Sequence, residues 1–176
     1  MLLKCLICAF ALVLINTGCY AEITGKVIDA ETGLPIEGAI VLVEWTVTKG
    51  LPGMTYHESY KVAEIVTDNE GKVTISGVSN LLINPPDVTV YKNGYVAWNS
   101  NFIFPGYKKR ADFKWQNGAV FKLEKFKAQY SFIEHQSFIG EAAHIGLSPD
   151  KKQLFLRVYN EGERDKVIKE RQRRTN

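Results

Sequence analysis

The sequence contains little cysteine: only three cysteines occur among its 176 residues, at Cys5, Cys8 and Cys19. The chain after Cys19 therefore has no thiol, which excludes a disulfide framework and a thiolate metal cluster from the body of the protein. A chain of this length buries an adequate hydrophobic core without such cross-links. We therefore expect one ordinary domain with a smaller appendage.

A dominant charge is also missing. The 22 lysine and arginine residues nearly balance the 19 aspartate and glutamate residues, and the formal net charge is +3. Proteins that bind nucleic acid normally present a strong basic field, so we expect no nucleic-acid partner. With 45% hydrophobic and 23% charged residues, the composition is that of a soluble globular protein.

The N-terminal segment is apolar but short. Residues 5–15 carry no charge, and a helix over this run rises about 16 Å, whereas the hydrocarbon core of a bilayer is about 30 Å thick. Lys4 precedes the run, and small or polar residues follow it as far as Ala21. This order is typical of an export signal, so we predict a signal peptide over residues 1–21.

Cys19 directly follows Gly18 at the end of this segment, and Asn16 holds the place three residues before it. Cys19 resembles the lipobox cysteine that bacterial lipoproteins acylate before cleavage, although a lipobox usually has a leucine-like residue where Asn16 stands. The resemblance implies a lipid anchor on Cys19 and an outer-membrane or periplasmic location. Cleavage after Ala21 is the alternative and gives a soluble periplasmic or secreted protein. Both readings place the mature protein outside the cytoplasm.

Short apolar stretches separated by turn signals extend from residue 22 to about residue 125, which predicts a small all-β sandwich. The segment 38–47 is β-branched and nearly continuous, as expected for a strand in the middle of a sheet. The segment 49–53 is predicted to be a loop, and Asp68-Asn69-Glu70-Gly71 the turn of a hairpin. Asn93-Gly94 predicts a second tight turn. The seven predicted strands are 23–27, 38–47, 60–67, 72–76, 88–91, 95–98 and 119–123.

Apolar residues recur at helical spacing after residue 125, and we predict a helical extension over residues 126–176. Ser131 and Glu134 form a capping box, which predicts a helix that begins there and ends near residue 146. Ser148 and Pro149 predict the N-cap and first residue of a second helix that runs to Arg174. The basic residues near that end suit a helix C-terminus through its dipole.

A long motif begins the predicted sandwich: Ile23-x-Gly25-x-Val27-x-Asp29-x-x-Thr32-Gly33-x-Pro35-Ile36-x-Gly38-Ala39-x-Val41. Three further motifs follow it: Thr67-Asp68-x-x-Gly71-x-Val73, Val88-x-Val90-x-Lys92-x-Gly94-Tyr95 and Val120-x-x-Leu123. Together they resemble the carboxypeptidase regulatory-like domains over residues 22–125. This resemblance implies a seven-stranded Greek-key β-sandwich of the transthyretin-like, or prealbumin-like, kind. In that family the module is non-catalytic and accompanies peptidases, outer-membrane receptors or surface proteins.

Two other classes of function compete with a binding module. A hydrolase or metal-binding protein would use Glu141, His144 and His135, since Glu141 and His144 would share one face of the first helix. The sequence has no His-Glu-x-x-His motif, and the chain after Cys19 has no cysteine pair, so we expect no metal, no cofactor and no enzymatic activity. A structural adhesin would cross-link Lys26 to an asparagine or aspartate of its last strand, and residues 119–123 contain neither.

Aromatic residues are concentrated between residues 91 and 121, where a basic triplet interrupts them. Exposed rings bind sugars or protein partners, whereas buried rings would fill the core. We expect Trp115 to be more exposed than Trp98. The sequence thus predicts an envelope-anchored binding or scaffolding module for an envelope protein or carbohydrate. The candidate binding residues are Trp98, Tyr107, Lys108, Lys109, Arg110 and Trp115.

Overall fold

The computed structural model describes residues 19–175. Residues 1–18, which include most of the predicted signal peptide, lie outside the described residues. The described chain begins with strand β1 (Cys19–Tyr20), which pairs antiparallel with β6 (Val78–Ser79). In residues 19–175, neither helix is both long enough and apolar enough to cross a bilayer.

Two sheets face each other as a β-sandwich. The first contains, in spatial order, β11 (Ala119–Leu123), β2 (Ile23–Asp29) and β5 (Lys72–Ile75). The second contains β4 (Met54–Val66), β3 (Ile40–Leu51), β7 (Asp87–Tyr91) and β8 (Trp98–Asn99). Strand β11 runs parallel to β2, and the other neighbours within these two sheets are antiparallel. A small hairpin of β9 (Phe102–Ile103) and β10 (Lys108–Lys109) lies outside them.

Two helices form a third layer. Helix α1 (Phe132–Ala142) and helix α2 (Gln153–Thr175) cover the face of the four-stranded sheet that points away from the sandwich interior. The first part of strand β3, residues 40–46, is therefore buried on both sides, and most of its residues are apolar. The predicted helical extension thus shares a hydrophobic core with the sandwich, and the prediction of a mainly β fold with two C-terminal helices is confirmed.

Each face of strand β3 contributes to a different core. Val41, Val43 and Trp45 point into the sandwich, where they pack among residues of the three-stranded sheet such as Val27 and Phe121. The alternate positions face the helices and pack against aromatic side chains of both. The second core includes Ile40, Leu42, Tyr91, Phe138, Ile139, Phe155 and Tyr159. This alternation follows the two-residue repeat of a strand.

Two of the predicted strand and loop boundaries differ from the structure. Strand β3 continues to Leu51 and β4 begins at Met54, so the predicted loop over residues 49–53 is wrong. Pro52 and Gly53 close a long hairpin between them, because proline suits the second position of a tight turn and Gly53 adopts a φ of 87°. Of the predicted strand 95–98, only Trp98 lies in β8.

The turn over residues 68–71 does not close a hairpin. Strand β4 belongs to the four-stranded sheet, whereas β5 pairs with β2 in the other sheet. The Asp68 side chain accepts hydrogen bonds from the backbone N–H groups of Glu70 and Lys72, and this local geometry reverses the chain in either arrangement. The turn therefore carries the chain from one sheet to the other.

The two helices begin differently. The Ser131 hydroxyl accepts a hydrogen bond from the backbone N–H of Glu134 at 3.2 Å, which confirms the predicted cap of α1. Ser148 has a φ of 52° and caps nothing, and Pro149 begins a single 3₁₀ turn rather than the helix. The N-terminus of α2 is instead capped by the Glu64 carboxylate of β4, which accepts from the N–H of Phe155 at 2.6 Å.

Candidate binding cleft

A cleft of about 500 Å³ opens at the end of the four-stranded sheet where β7 begins. Its polar lining consists of two imidazoles, two amides, one carboxylate and one hydroxyl. These groups belong to His57, His144, Asn84, Asn101, Asp87 and Thr46. Pro85, Pro86 and Leu147 add an apolar part of the wall. The cleft thus combines hydrogen-bond donors and acceptors with a small apolar surface, as binding sites for small polar molecules do.

Strand β3 holds one side of the cleft in place. The Asn84 backbone N–H donates to the Thr46 carbonyl at 2.9 Å, and its side-chain amide donates to the Thr46 hydroxyl at 3.0 Å. The Asn84 amide also lies 3.2 Å from Nδ1 of His57, on the neighbouring strand β4. These bonds fix both side chains at the cleft wall.

A buried ion pair lies behind the cleft. Glu44 of β3 and Lys152, just before α2, are both buried, and Lys152 Nζ donates to Glu44 Oε2 at 2.8 Å. The same ammonium group donates to the carbonyls of Ala143 and His144 at 3.0 Å and 2.7 Å. Burial lowers the pKa of Lys152, and the Glu44 carboxylate opposes this effect. All three N–H groups of the ammonium are engaged, so Lys152 ties the segment after α1 to the sheet.

His144 connects this ion pair to the cleft. Its backbone adopts a left-handed φ of 45°. Nδ1 lies 3.5 Å from Glu44 Oε2 and 3.6 Å from Asp87 Oδ2. Hydrogen bonding to Glu44 raises the pKa of His144 against the effect of burial, and the charge of Asp87 adds to the rise. The imidazole therefore stays protonated to a higher pH than an ordinary histidine.

The two carboxylates of the cluster respond in opposite ways. Burial by itself would raise the pKa of Glu44, but hydrogen bonds from His144 and Lys152 outweigh it and lower the pKa. Burial raises the pKa of Asp87, although His144 and a hydrogen bond from Asn101 oppose the rise. With His144 protonated, two cations balance two carboxylates. The cleft is therefore polar without a large excess of either charge.

The residues predicted for a metal or hydrolase site do not share one centre. Helix α1 ends at Ala142, so His144 does not lie on a common helix face with Glu141 as predicted. His135 is buried elsewhere, where Nε2 accepts from the Ala97 N–H at 2.8 Å and Nδ1 lies 3.0 Å from the Glu163 carboxylate. Both its ring nitrogens are thus occupied. Within the described part of the chain, no three His, Cys, Asp or Glu side chains are grouped to hold a metal ion.

Two of the predicted binding residues are structural. Trp98 is buried, and its ring packs edge-on against Phe113 and Phe121 with centroid distances of 5.2 Å and 5.0 Å. The Arg110 guanidinium lies over the Trp98 ring at 4.6 Å and donates through Nε to the Asn99 carbonyl at 2.7 Å. Both side chains therefore hold β8 in place.

The other predicted binding residues lie apart from one another. Tyr107, Lys108 and Lys109 are exposed around β10, and the Tyr107 ring lies 5.4 Å from Phe138 on the helical side of the sheet. Trp115 is half-buried against the sandwich core, where its Nε1 donates to the Ala21 carbonyl at 3.1 Å. Trp115 is more exposed than Trp98, as expected. The structure thus brings these residues to two sides of the four-stranded sheet.

Apart from His144, the polar residues that form the cleft and its support were not predicted from the sequence. They are Glu44, Thr46, His57, Asn84, Asp87, Asn101 and Lys152. One signal was present, because Glu44 is the single charged residue within the segment 40–47, which is otherwise apolar except at Thr46. A carboxylate in a strand that is buried on both sides requires a partner. The identity of that partner depends on tertiary packing.

No protein-family model matches this chain. No curated protein matches it either. Among solved structures, the chain is similar to a streptococcal ancillary pilin, with 14% sequence identity and a TM-score of 0.35. The match covers 62% of this chain and 30% of the pilin chain. The assignment of a β-sandwich with two helices therefore rests on the strand pairing and packing of this protein itself.

Proposed function

We propose that this protein is an exported, non-catalytic binding module that acyl chains on Cys19 hold at a bacterial envelope. The apolar segment before Cys19 and the small residue beside it support export and anchoring. The motifs of residues 22–125 support a sandwich of the carboxypeptidase regulatory-like kind within this mainly β fold. The cleft is the surface that this module offers to its ligand.

The ligand that fits the cleft best is a saccharide unit of an envelope polysaccharide. The observation that carries this proposal is the grouping of Asn84, Asn101 and Asp87 with two histidines beside an apolar wall. Amides both donate and accept hydrogen bonds, as do the hydroxyl groups of a sugar, and the Asp87 carboxylate accepts them. The rings of Pro85 and Pro86 supply an apolar surface against which the C–H groups on one face of a sugar ring can pack.

The arrangement of titratable groups favours binding over catalysis. The Lys152 ammonium donates three hydrogen bonds, and both ring nitrogens of His135 have partners. A nucleophile or general base needs a free lone pair within reach of a substrate. These two buried groups therefore act as supports of the fold.

The anchoring proposal is tested by cell fractionation of the Cys19→Ala variant. We expect the native protein in the membrane fraction and the variant in the soluble fraction, because Cys19 is the proposed acylation site. A variant that stays with the membrane, or a native protein that is soluble and not acylated, would show that the anchor is wrong.

The ligand proposal is tested by calorimetric titration with soluble glycan fragments released from the envelope. Asn101→Ala should weaken binding at least about fivefold, because it removes a donor and an acceptor at the cleft, which are worth about 1–3 kcal/mol. Asn69→Ala, at an exposed turn outside the cleft, is the matched control and should bind like the native protein. A double variant, Lys108→Glu with Lys109→Glu, tests the alternative surface. If this variant lost binding while Asn101→Ala kept it, the β9–β10 hairpin would be the binding surface instead.

A further inference from the structure

Large apolar side chains are exposed together at one end of the molecule. Leu51 and Met54 form the tip of the β3–β4 hairpin, and Leu81 and Leu82 lie in the loop after β6. Each of these four residues is 69% to 77% exposed. Single exposed leucines are common, but a concentration of them indicates a surface that another apolar phase covers. We call these four residues the apolar rim.

The apolar rim lies at the same end of the fold as Cys19. Cys19 pairs with Ser79, so the chain reaches Leu81 two residues after the partner of the proposed acylation site. The loop then returns to the hairpin, because Ile83 forms a β-bridge with Val47. From Val47 the hairpin continues for four residues to its tip, a distance of about 13 Å.

The proposed lipid anchor lies at this end of the fold. Acyl chains on Cys19 would lie in the bilayer, so everything within about 10–15 Å of Cys19 would lie near the lipid headgroups. The charged side chain closest to the hairpin tip suits this position, since Lys49 forms an ion pair with Glu58 at 2.6 Å.

We propose that the apolar rim inserts into the interface of the bilayer that holds the lipid of Cys19. This inference rests on the anchor of the proposed function and adds an orientation to it. Acyl chains on Cys19 hold the protein at one residue and leave its orientation on the membrane free. Apolar side chains that insert into the interface beside the anchor add further points of attachment, so the four residues of the apolar rim would keep the sandwich upright on the membrane. The basic C-terminal end of α2, which packs near Ser131 at the far end, then points away from the lipid.

Leu34 provides a matched control for this surface. It is 64% exposed, but it follows the end of β2 that is opposite to Cys19. Strand β2 spans Ile23–Asp29 and separates the two ends by about 20 Å. Leu34 is therefore an exposed leucine that the bilayer should not reach.

The test uses the full acylated protein, purified from membranes and reconstituted in phosphatidylethanolamine and phosphatidylglycerol vesicles with brominated acyl chains. Leu82→Trp, Leu51→Trp and Leu34→Trp are compared with the unsubstituted protein, whose native tryptophans give the baseline. Bromine quenches tryptophan only at close range. We expect the added fluorescence of Leu82→Trp and Leu51→Trp to be quenched at least twofold, and that of Leu34→Trp to be unaffected.

Each outcome decides a separate part of the proposal. If the protein stays with the vesicles while neither rim tryptophan is quenched more than the one at position 34, the rim does not meet the bilayer and the anchor stands. If the protein does not float with the vesicles, both the rim and the anchor are refuted. Glycan binding is measured by calorimetry and does not depend on either result.

Discussion

Replacing Lys152 by methionine removes one ammonium group from a site with no access to water. The side chain is fully buried, and its three N–H groups donate to the Glu44 carboxylate and to the carbonyls of Ala143 and His144. Methionine fills a similar volume but donates nothing, so Glu44 remains buried and keeps the His144 imidazole as its cationic neighbour. Breaking a buried ion pair in this way destabilises a protein by about 3–5 kcal/mol.

This loss is measured by urea unfolding at pH 7, followed by circular dichroism. With a dependence on urea of about 2 kcal/mol per M, the midpoint of Lys152→Met should fall by about 2 M. The control is Lys49→Met, which breaks an ion pair whose two side chains are half-exposed and should lose less than about 1 kcal/mol. The double variant Lys152→Met with Glu44→Leu should lose less than Lys152→Met alone, because no unpaired charge stays buried.

Two results would refute this reasoning. If Lys152→Met lost no more stability than Lys49→Met, the ammonium group would not be buried as the structure places it. If the losses of Lys152→Met and Glu44→Leu simply added in the double variant, the two side chains would not form a coupled pair.

Three further predictions concern the helices, the aromatic residues and the cleft. Gly162→Ala should lower the melting temperature, because the added Cβ would overlap the buried Tyr91 hydroxyl. The control is Gly140→Ala, where the added Cβ has free space, and this variant should be more stable by about 0.5–1 kcal/mol because alanine favours helices. Trp98→Ala should lose about 3–5 kcal/mol in urea unfolding and the half-buried Trp115→Ala about 1–2 kcal/mol; equal losses would contradict their difference in burial. His144 should titrate by NMR with a pKa above its ordinary value, so the stability that it contributes is fully present below about pH 6.5 and is lost as the pH rises through that raised pKa. The native protein should therefore exceed His144→Gln in stability most at low pH. If this difference grew as the pH rose, Glu44 and Asp87 would not be the partners of His144.

Local features of the chain could be predicted from the sequence. The tight turn at Asn93-Gly94 is present, with Gly94 at a φ of 87° and the Tyr95 N–H bonded to the Lys92 carbonyl. The cap at Ser131 is present as well. Such features depend on residues within four positions of one another, so the sequence contains all of the information that determines them.

The apolar continuity of residues 40–47 likewise predicted a central strand, and the structure places β3 between two hydrophobic cores. The hydrophobic pattern determines how many faces of a strand are buried, because each face must be covered by other apolar residues. The mainly β class and the two C-terminal helices therefore followed from the sequence alone.

Tertiary structure alone decided which elements meet. Asp68 turns the chain equally well toward a hairpin or toward another sheet, and packing placed β5 beside β2. Helix α2 begins where the Glu64 carboxylate caps it, although Ser148 and Pro149 carry a stronger local start signal. Long-range partners of this kind depend on the sum of many contacts across the domain, which no local pattern encodes.

The candidate cleft is another feature that tertiary structure alone decided. Glu44 and Asp87 come from two strands, whereas His144 and Lys152 lie in the segment between the two helices, far from both strands in sequence. The sequence by itself determined that these residues are charged or titratable and that Glu44 lies in an apolar strand. Only the packing of the helices on the four-stranded sheet brought them together, because a buried charge is tolerated only where the fold supplies its partner.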